Sequence, residues 1–136
     1  MTGQLSTVGA NNALDGALGR ATQTARTVYV ALLTAAPSDS TTNATMTEYG
    51  ATGYARQTVA WAAPSGDPSA TSNTGALTFG PFTAGTGATV THAAVVSSSS
   101  GTGGDFIYYW TLDVSKTPGT GDSITVAVGD LDITLD

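Results

Sequence analysis

From Thr27 onward the chain is a succession of short segments with apolar residues in alternation, divided by polar turns, and no second helical pattern interrupts them. Thr27 to Thr34 (TVYVALLT), Tyr54 to Trp61 (YARQTVAW), Ala76 to Phe79, Ala88 to Ser97 (ATVTHAAVVS), Phe106 to Leu112, Ser123 to Val128 and Leu131 to Leu135 all read as strands. Strands recurring this closely confine the chain to a mainly β fold: a compact antiparallel β-sandwich or barrel with one short N-terminal helix. Thr27 to Thr34 is apolar on both faces, the pattern of a strand buried between two layers. In the last two segments Ile124, Val126 and Val128, then Leu131, Ile133 and Leu135, are expected to face inward. The 25 Thr and 12 Ser fit this reading, together 37 of 136 residues. Thr is stiff at its β-carbon and suits strands, while Ser and Gly suit turns. Ala35 to Gly53, Pro64 to Gly75 and Ser97 to Asp105 are the polar loops.

The first 26 residues follow a different rule. Ala13, Leu14, Ala17, Leu18 and Ala21 recur at three- and four-residue spacing, which predicts a helix within Asn11 to Ala25 capped by Asn11 or Asn12. Its stripe is mostly Ala, and Gly16 and Gly19 each cost about 1 kcal/mol relative to Ala, so the helix needs a surface to dock against. The chain therefore divides into residues 1–26, an arm and helix for attachment or oligomer contacts, and residues 27–136, a single β domain. Leu14 and Leu18 are the candidate apolar contacts. Arg20 and Arg26 lie toward the helix C-terminus, where positive charge complements the dipole and is available to an acidic partner.

Charge and cysteine usage remove several function classes. Four basic residues against ten acidic ones give a net charge of −6, the wrong sign for neutralising phosphates, so nucleic acid is not an expected partner. Without Cys there is no disulfide, zinc-thiolate or thiol chemistry. No run approaches the roughly 18 apolar residues of a membrane span, and the start lacks a secretory pattern, so the expectation is synthesis in the cytoplasm and no membrane partner.

The residue types that could carry chemistry are few. His92 is the only histidine and has no flanking pattern for a nucleophile or orienting carboxylate, which makes it a structural residue. Asp130, Asp132 and Asp136 would share one face of a regular strand and offer oxygen donors to a hard cation. Strand neighbours on one face lie about 7 Å apart, however, which suits a solvated acidic edge better than a calcium loop. Glu48 and Arg56 span a presumed turn at Gly50 to Gly53 and predict a structural ion pair fastening the long loop, in preference to a substrate clamp. Gly101, Gly103 and Gly104 belong to no phosphate-binding pattern. Tyr108 and Trp110 alternate with Tyr109, so only part of this aromatic cluster could form one stacking platform. An enzyme on cell-wall polysaccharide would need two carboxylates about 5 to 9.5 Å apart, and no such arrangement is legible. No catalytic residue, cofactor or metal is assigned.

The ordered landmarks YVALLTAAP (Tyr29 to Pro37), TEYG with GYARQTVAW (Thr47 to Trp61), VTHAAVVS (Val90 to Ser97), a Gly-rich tip, IYYWTL (Ile107 to Leu112), GDSITV and a terminal GDLDITLD together resemble a family of small tailed-bacteriophage virion proteins. Its members are labelled tail fibre, minor tail or head decoration protein, and the resemblance covers about Val28 to Asp136. Where relatives carry an Asp-led turn after the VTHAA-type strand, this chain has SSSSGTGGD. The resemblance implies a virion structural protein without catalytic residues. With no heptad run, collagen-like repeat or β-repeat shaft, the expectation is a capsid decoration protein on the outside of the head. Its expected partners are the major capsid protein and its own copies, with a trimer as the leading assembly. The alternative is a minor tail or tail-fibre protein engaged in host-surface recognition.

Overall fold

The structure, a computed structural model, describes residues 1–135. Its elements run β1 (Thr2–Leu5), α1 (Thr7–Ala17), β2 (Val28–Leu33), β3 (Gln57–Val59), β4 (Ser69–Ser72), β5 (Leu77–Phe79), β6 (Val90–Val96), β7 (Phe106–Lys116), β8 (Ile124–Val126) and β9 (Asp132–Leu135). The main sheet has five strands in the order β1-β7-β6-β2-β3, and two ribbons, β4-β9 and β5-β8, complete the set. Every pairing is antiparallel. The fold is mainly β with one short helix, as expected, and the main sheet stays open, with β1 and β3 at its edges.

Strand β2 shows why the sheet sits where it does. Val30 and Leu32 point to one face, where they join Phe79, Phe82, Val90, Ala93, Val95, Trp110 and Leu131. Ala31 and Leu33 point to the other, with Ala94, Val96, Phe106 and Tyr109. Both faces are therefore dry, and a strand apolar on both sides satisfies each. The first face is closed by the β5-β8 ribbon, through Leu77, Phe79 and Ile124. On the second, Met46 of the loop after β2 packs against the cluster.

Several local expectations are corrected. The helix starts and stops earlier than Asn11 to Ala25. Its N-cap is Ser6, whose Oγ accepts from the Gly9 N–H at 3.0 Å, so neither Asn11 nor Asn12 caps it. Its end is set by Gly19 at φ +65°: the Gly19 N–H reaches the Gly16 carbonyl and the Arg20 N–H reaches that of Asp15, a Schellman closure. Gly19 is thus the stop signal and not a weak interior position. Ahead of the helix, β1 was not foreseen, and it pairs with β7 from Thr2 opposite Thr111 to Leu5 opposite Tyr108. The turn-rich Pro64 to Gly75 contains β4, formed by pairing with β9. Toward the C-terminus, Ile124 and Leu131 are buried, but Val128 and Leu135 face solvent.

Candidate functional site

The most connected polar side chain is Arg56, placed just ahead of β3. Its Nε and Nη2 donate to the two carboxylate oxygens of Glu48, each at 2.8 Å, in a bidentate pair. Glu48 is positioned by a bridge to Leu33 at the end of β2. The remaining Arg56 bonds go to main chain: Nη1 to the Ser98 carbonyl and Nη2 to that of Gly101, both at 2.9 Å. Tyr54 completes the group, donating its hydroxyl to Glu48 Oε1 at 2.6 Å while accepting from the Leu32 N–H at 3.0 Å. One guanidinium thus joins the loop after β2, the entry to β3 and the tip between β6 and β7.

The electrostatics follow from this geometry. The hydrogen bond to Glu48 raises the Arg56 pKa against the opposing pull of burial. Burial, reinforced by the Glu48 carboxylate, raises Tyr54 well above the ordinary phenol value. A concavity of about 390 Å³ opens beside the pair, lined by Glu48, Gly50, Tyr54, Ser99 and Ser100 among others. The Arg56 side chain is only 3% exposed and its nitrogens are engaged within the chain. In chemical terms the pair is a fastener, with no free guanidinium edge for a substrate.

The other sequence candidates are dispersed. Tyr108 and Trp110 lie in the first core and Tyr109 in the second. Trp110 Nε1 donates to the Asp132 carbonyl at 2.6 Å, and Tyr109 donates to Asp39 at 2.8 Å. The three rings are internal and form no sugar platform. His92 is half-buried, its Nδ1 2.8 Å from Thr91 Oγ1, and burial lowers its pKa. Asp130 and Asp132 do not share a strand face: Asp130 sits in a turn, accepting from the Ala127 N–H at 3.1 Å, and Asp132 opens β9. Asp136 lies outside the described residues. Among those described, no cluster of His, Cys, Asp and Glu is arranged to hold a metal ion.

Helix α1 presents the opposite situation to Arg56. It is held to the body by its polar and glycine side: the Ser6 N–H bonds the Ile107 carbonyl at 3.0 Å, Ser6 Oγ bonds that of Phe106, and Asn12 Nδ2 reaches Asp105 at 3.2 Å. Gly9 is the buried residue of the helix, and a Cβ there would collide with the Ile107 carbonyl, so only glycine allows this approach. The apolar stripe is left outside, with Leu14 59% and Leu18 74% exposed. Arg20 and Arg26 are engaged within the chain, with Asp15 at 2.7 Å and Asp105 at 2.6 Å.

An antiparallel β body with its aromatic strand turned inward and its buried arginine bonded within the chain is the build of a structural module. The family described as Podophage GP4 fiber I protein gp80 matches residues 4–134, and the chain belongs to that family. No curated protein matches it.

Proposed function

We propose that this chain is a non-enzymatic structural subunit of a fibre on the virion exterior, with the β body as a rigid unit and the α1 side as its attachment surface. The observation that carries the reading is the contrast between α1 and the rest. Arg56, the aromatic strand and the Asp39 group are bonded within the chain, whereas Leu14 and Leu18 face out. A fixed body with two leucines exposed at one helix end suits a component that is held in place, and the family's fibre description favours a place on a fibre. Attachment through Leu14 and Leu18 is part of the proposal. Arg20 and Arg26 would flank the contact as neutralised pairs.

A second reading, decoration of the head through the major capsid protein, draws support from the shape of the elements. The only helix among the described residues is 11 residues long, and no strand exceeds that length, so no shaft is built from this segment. Quantitative mass spectrometry of purified virions, split into head and tail fractions, separates the two. Recovery with tails at a few copies supports the fibre. Recovery with heads at capsomer-like copy number replaces it with decoration, and absence from purified particles overturns both.

A further inference from the structure

Strand β7 outruns its neighbours in the main sheet. Its ladder with β1 ends at Thr2 opposite Thr111, and its ladder with β6 jumps from His92 opposite Thr111 to Val90 opposite Lys116. Leu112 to Ser115 therefore bulge out against Thr91 alone, and none of these β7 residues has a ladder partner. Strand β8 pairs only with β5, from Leu77 opposite Val126 to Phe79 opposite Ile124, so among the described residues its other edge is open. Backbone groups in a fold are mostly paired with one another, and an open edge offers its donors and acceptors to an incoming strand.

The two open stretches border the same groove. A cavity of about 470 Å³ is lined by Leu112, Asp113, Val114 and Lys116 of β7 and by Ile124 to Val126 of β8. Neighbouring side chains of a strand point to opposite faces, so a groove touching three successive residues of β8 follows its edge. With a rise of ~3.3 Å, a strand spacing of ~4.8 Å and a layer thickness of ~10 Å, one residue of strand fills about 160 Å³, so the groove takes roughly three. Leu112 and Val126 are half-buried and Val114 is 65% exposed, which supplies apolar contact beside the open backbone. A helix satisfies its own backbone and would leave both edges unused.

Charge narrows the choice of strand. Asp113, Asp130 and Asp132 line the groove, and Lys116 is its one basic side chain. Asp113 is paired with the N-terminus at 3.2 Å, while Asp130 and Asp132 have no cationic partner among the described residues. A second copy would bring its own net charge of −6 to these carboxylates, which opposes edge pairing between copies. We propose that the groove between β7 and β8 receives an extended, basic segment of another protein, which adds as a strand along the open edges and sets a Lys or Arg against Asp130 and Asp132. This site involves neither α1 nor the choice between fibre and head.

Selection of a random decapeptide library, displayed as messenger-RNA fusions, on the full chain tests it, with a synthesised winner then titrated into the protein and followed by amide chemical shifts. Enriched peptides are expected to carry Lys or Arg among β-branched residues, to bind at about 10–500 μM, and to shift Leu112 to Lys116 together with Ile124 to Val126. Methylating alternate peptide nitrogens removes main-chain donors, keeps every side chain and needs no protein variant; it is expected to weaken binding about tenfold or more. Asp130→Asn with Asp132→Asn is expected to weaken binding about three- to tenfold, and Val114→Arg to abolish it, each with an unchanged far-UV circular dichroism spectrum. No enrichment, winners without basic residues, shifts centred elsewhere, or indifference to N-methylation or to the Asp substitutions overturns the proposal. So does self-association of the chain that Val114→Arg removes, which would give the groove to a second copy.

Discussion

Leu32 and Leu33 in β2 are sealed, while Leu14 in α1 and Leu18 at its C-cap lie mostly in solvent, although the two pairs are chemically identical. Ala31 and Ala94 are likewise sealed in the sheet, and Ala13 and Ala17 are exposed on the helix. Hydrophobicity does not separate the two regions; the neighbour does. Strand β2 lies inside a sheet covered on both faces, so every apolar side chain finds contacts. Helix α1 approaches β7 through Gly9 and the Ser6 cap, a backbone contact that turns its stripe outward. Strand β2 is thus completed by its neighbours, and the helix is not.

The largest effect that would test the completed body is Trp110→Ala. Trp110 is fully buried, lies 4.9 Å from Tyr108 and 6.1 Å from Trp61 between ring centroids, and bonds Asp132. Its truncation is expected to cost about 3–5 kcal/mol in urea denaturation, and a loss under 1 kcal/mol would mean this region is not the core. Next, Arg56→Ala strands Glu48 and frees the Ser98 and Gly101 carbonyls. A cost of about 3 kcal/mol is expected for breaking a largely buried pair, with faster amide exchange at Ser98 to Asp105. Loss of stability without any change in that tip would contradict the fastening role.

Alkaline pH produces a graded effect on the same side of the comparison. Burial raises Tyr49, Tyr54, Tyr108 and Tyr109 above their ordinary value of 10.0. Raised phenols stay protonated in the folded state while the unfolded chain ionises near pH 10, so the stability they contribute is complete below about pH 9 and is lost as pH rises past 10. Urea midpoints from pH 8 to 11 are expected to hold and then fall, with the tyrosinate absorbance of these four residues appearing on unfolding. Smallest of all, Leu14→Asp is expected to change monomer stability by no more than about 0.5 kcal/mol, measured by urea denaturation at low concentration. A loss above 2 kcal/mol would place Leu14 in the core and erase the contrast.

The parts legible from sequence are those where a residue's own pattern decides its place. Strands β2, β6 and β7 declare themselves by apolar residues on alternating faces, and Glu48 and Arg56 could be paired across a turn because few charges compete. Strands β1 (TGQL) and β4 (SATS) carry no such pattern. They are strands because β7 and β9 offer ladder partners, which is information held by the rest of the fold. The helix limits were misread for a related reason: the apolar period runs past Leu18, and the Ser6 cap and Gly19 closure override it. Nor could side-chain reading find the Ser98 and Gly101 carbonyls that hold Arg56, because main-chain acceptors are the same at every residue.

Amide hydrogen exchange on the full chain tests the division between a sealed sheet and an exposed helix end. Val30 to Leu33, Ala93 to Val96 and Phe106 to Trp110 are expected to exchange slowest, and Asn11 to Thr27 fast. Helix amides as slow as those of β6 would contradict the account.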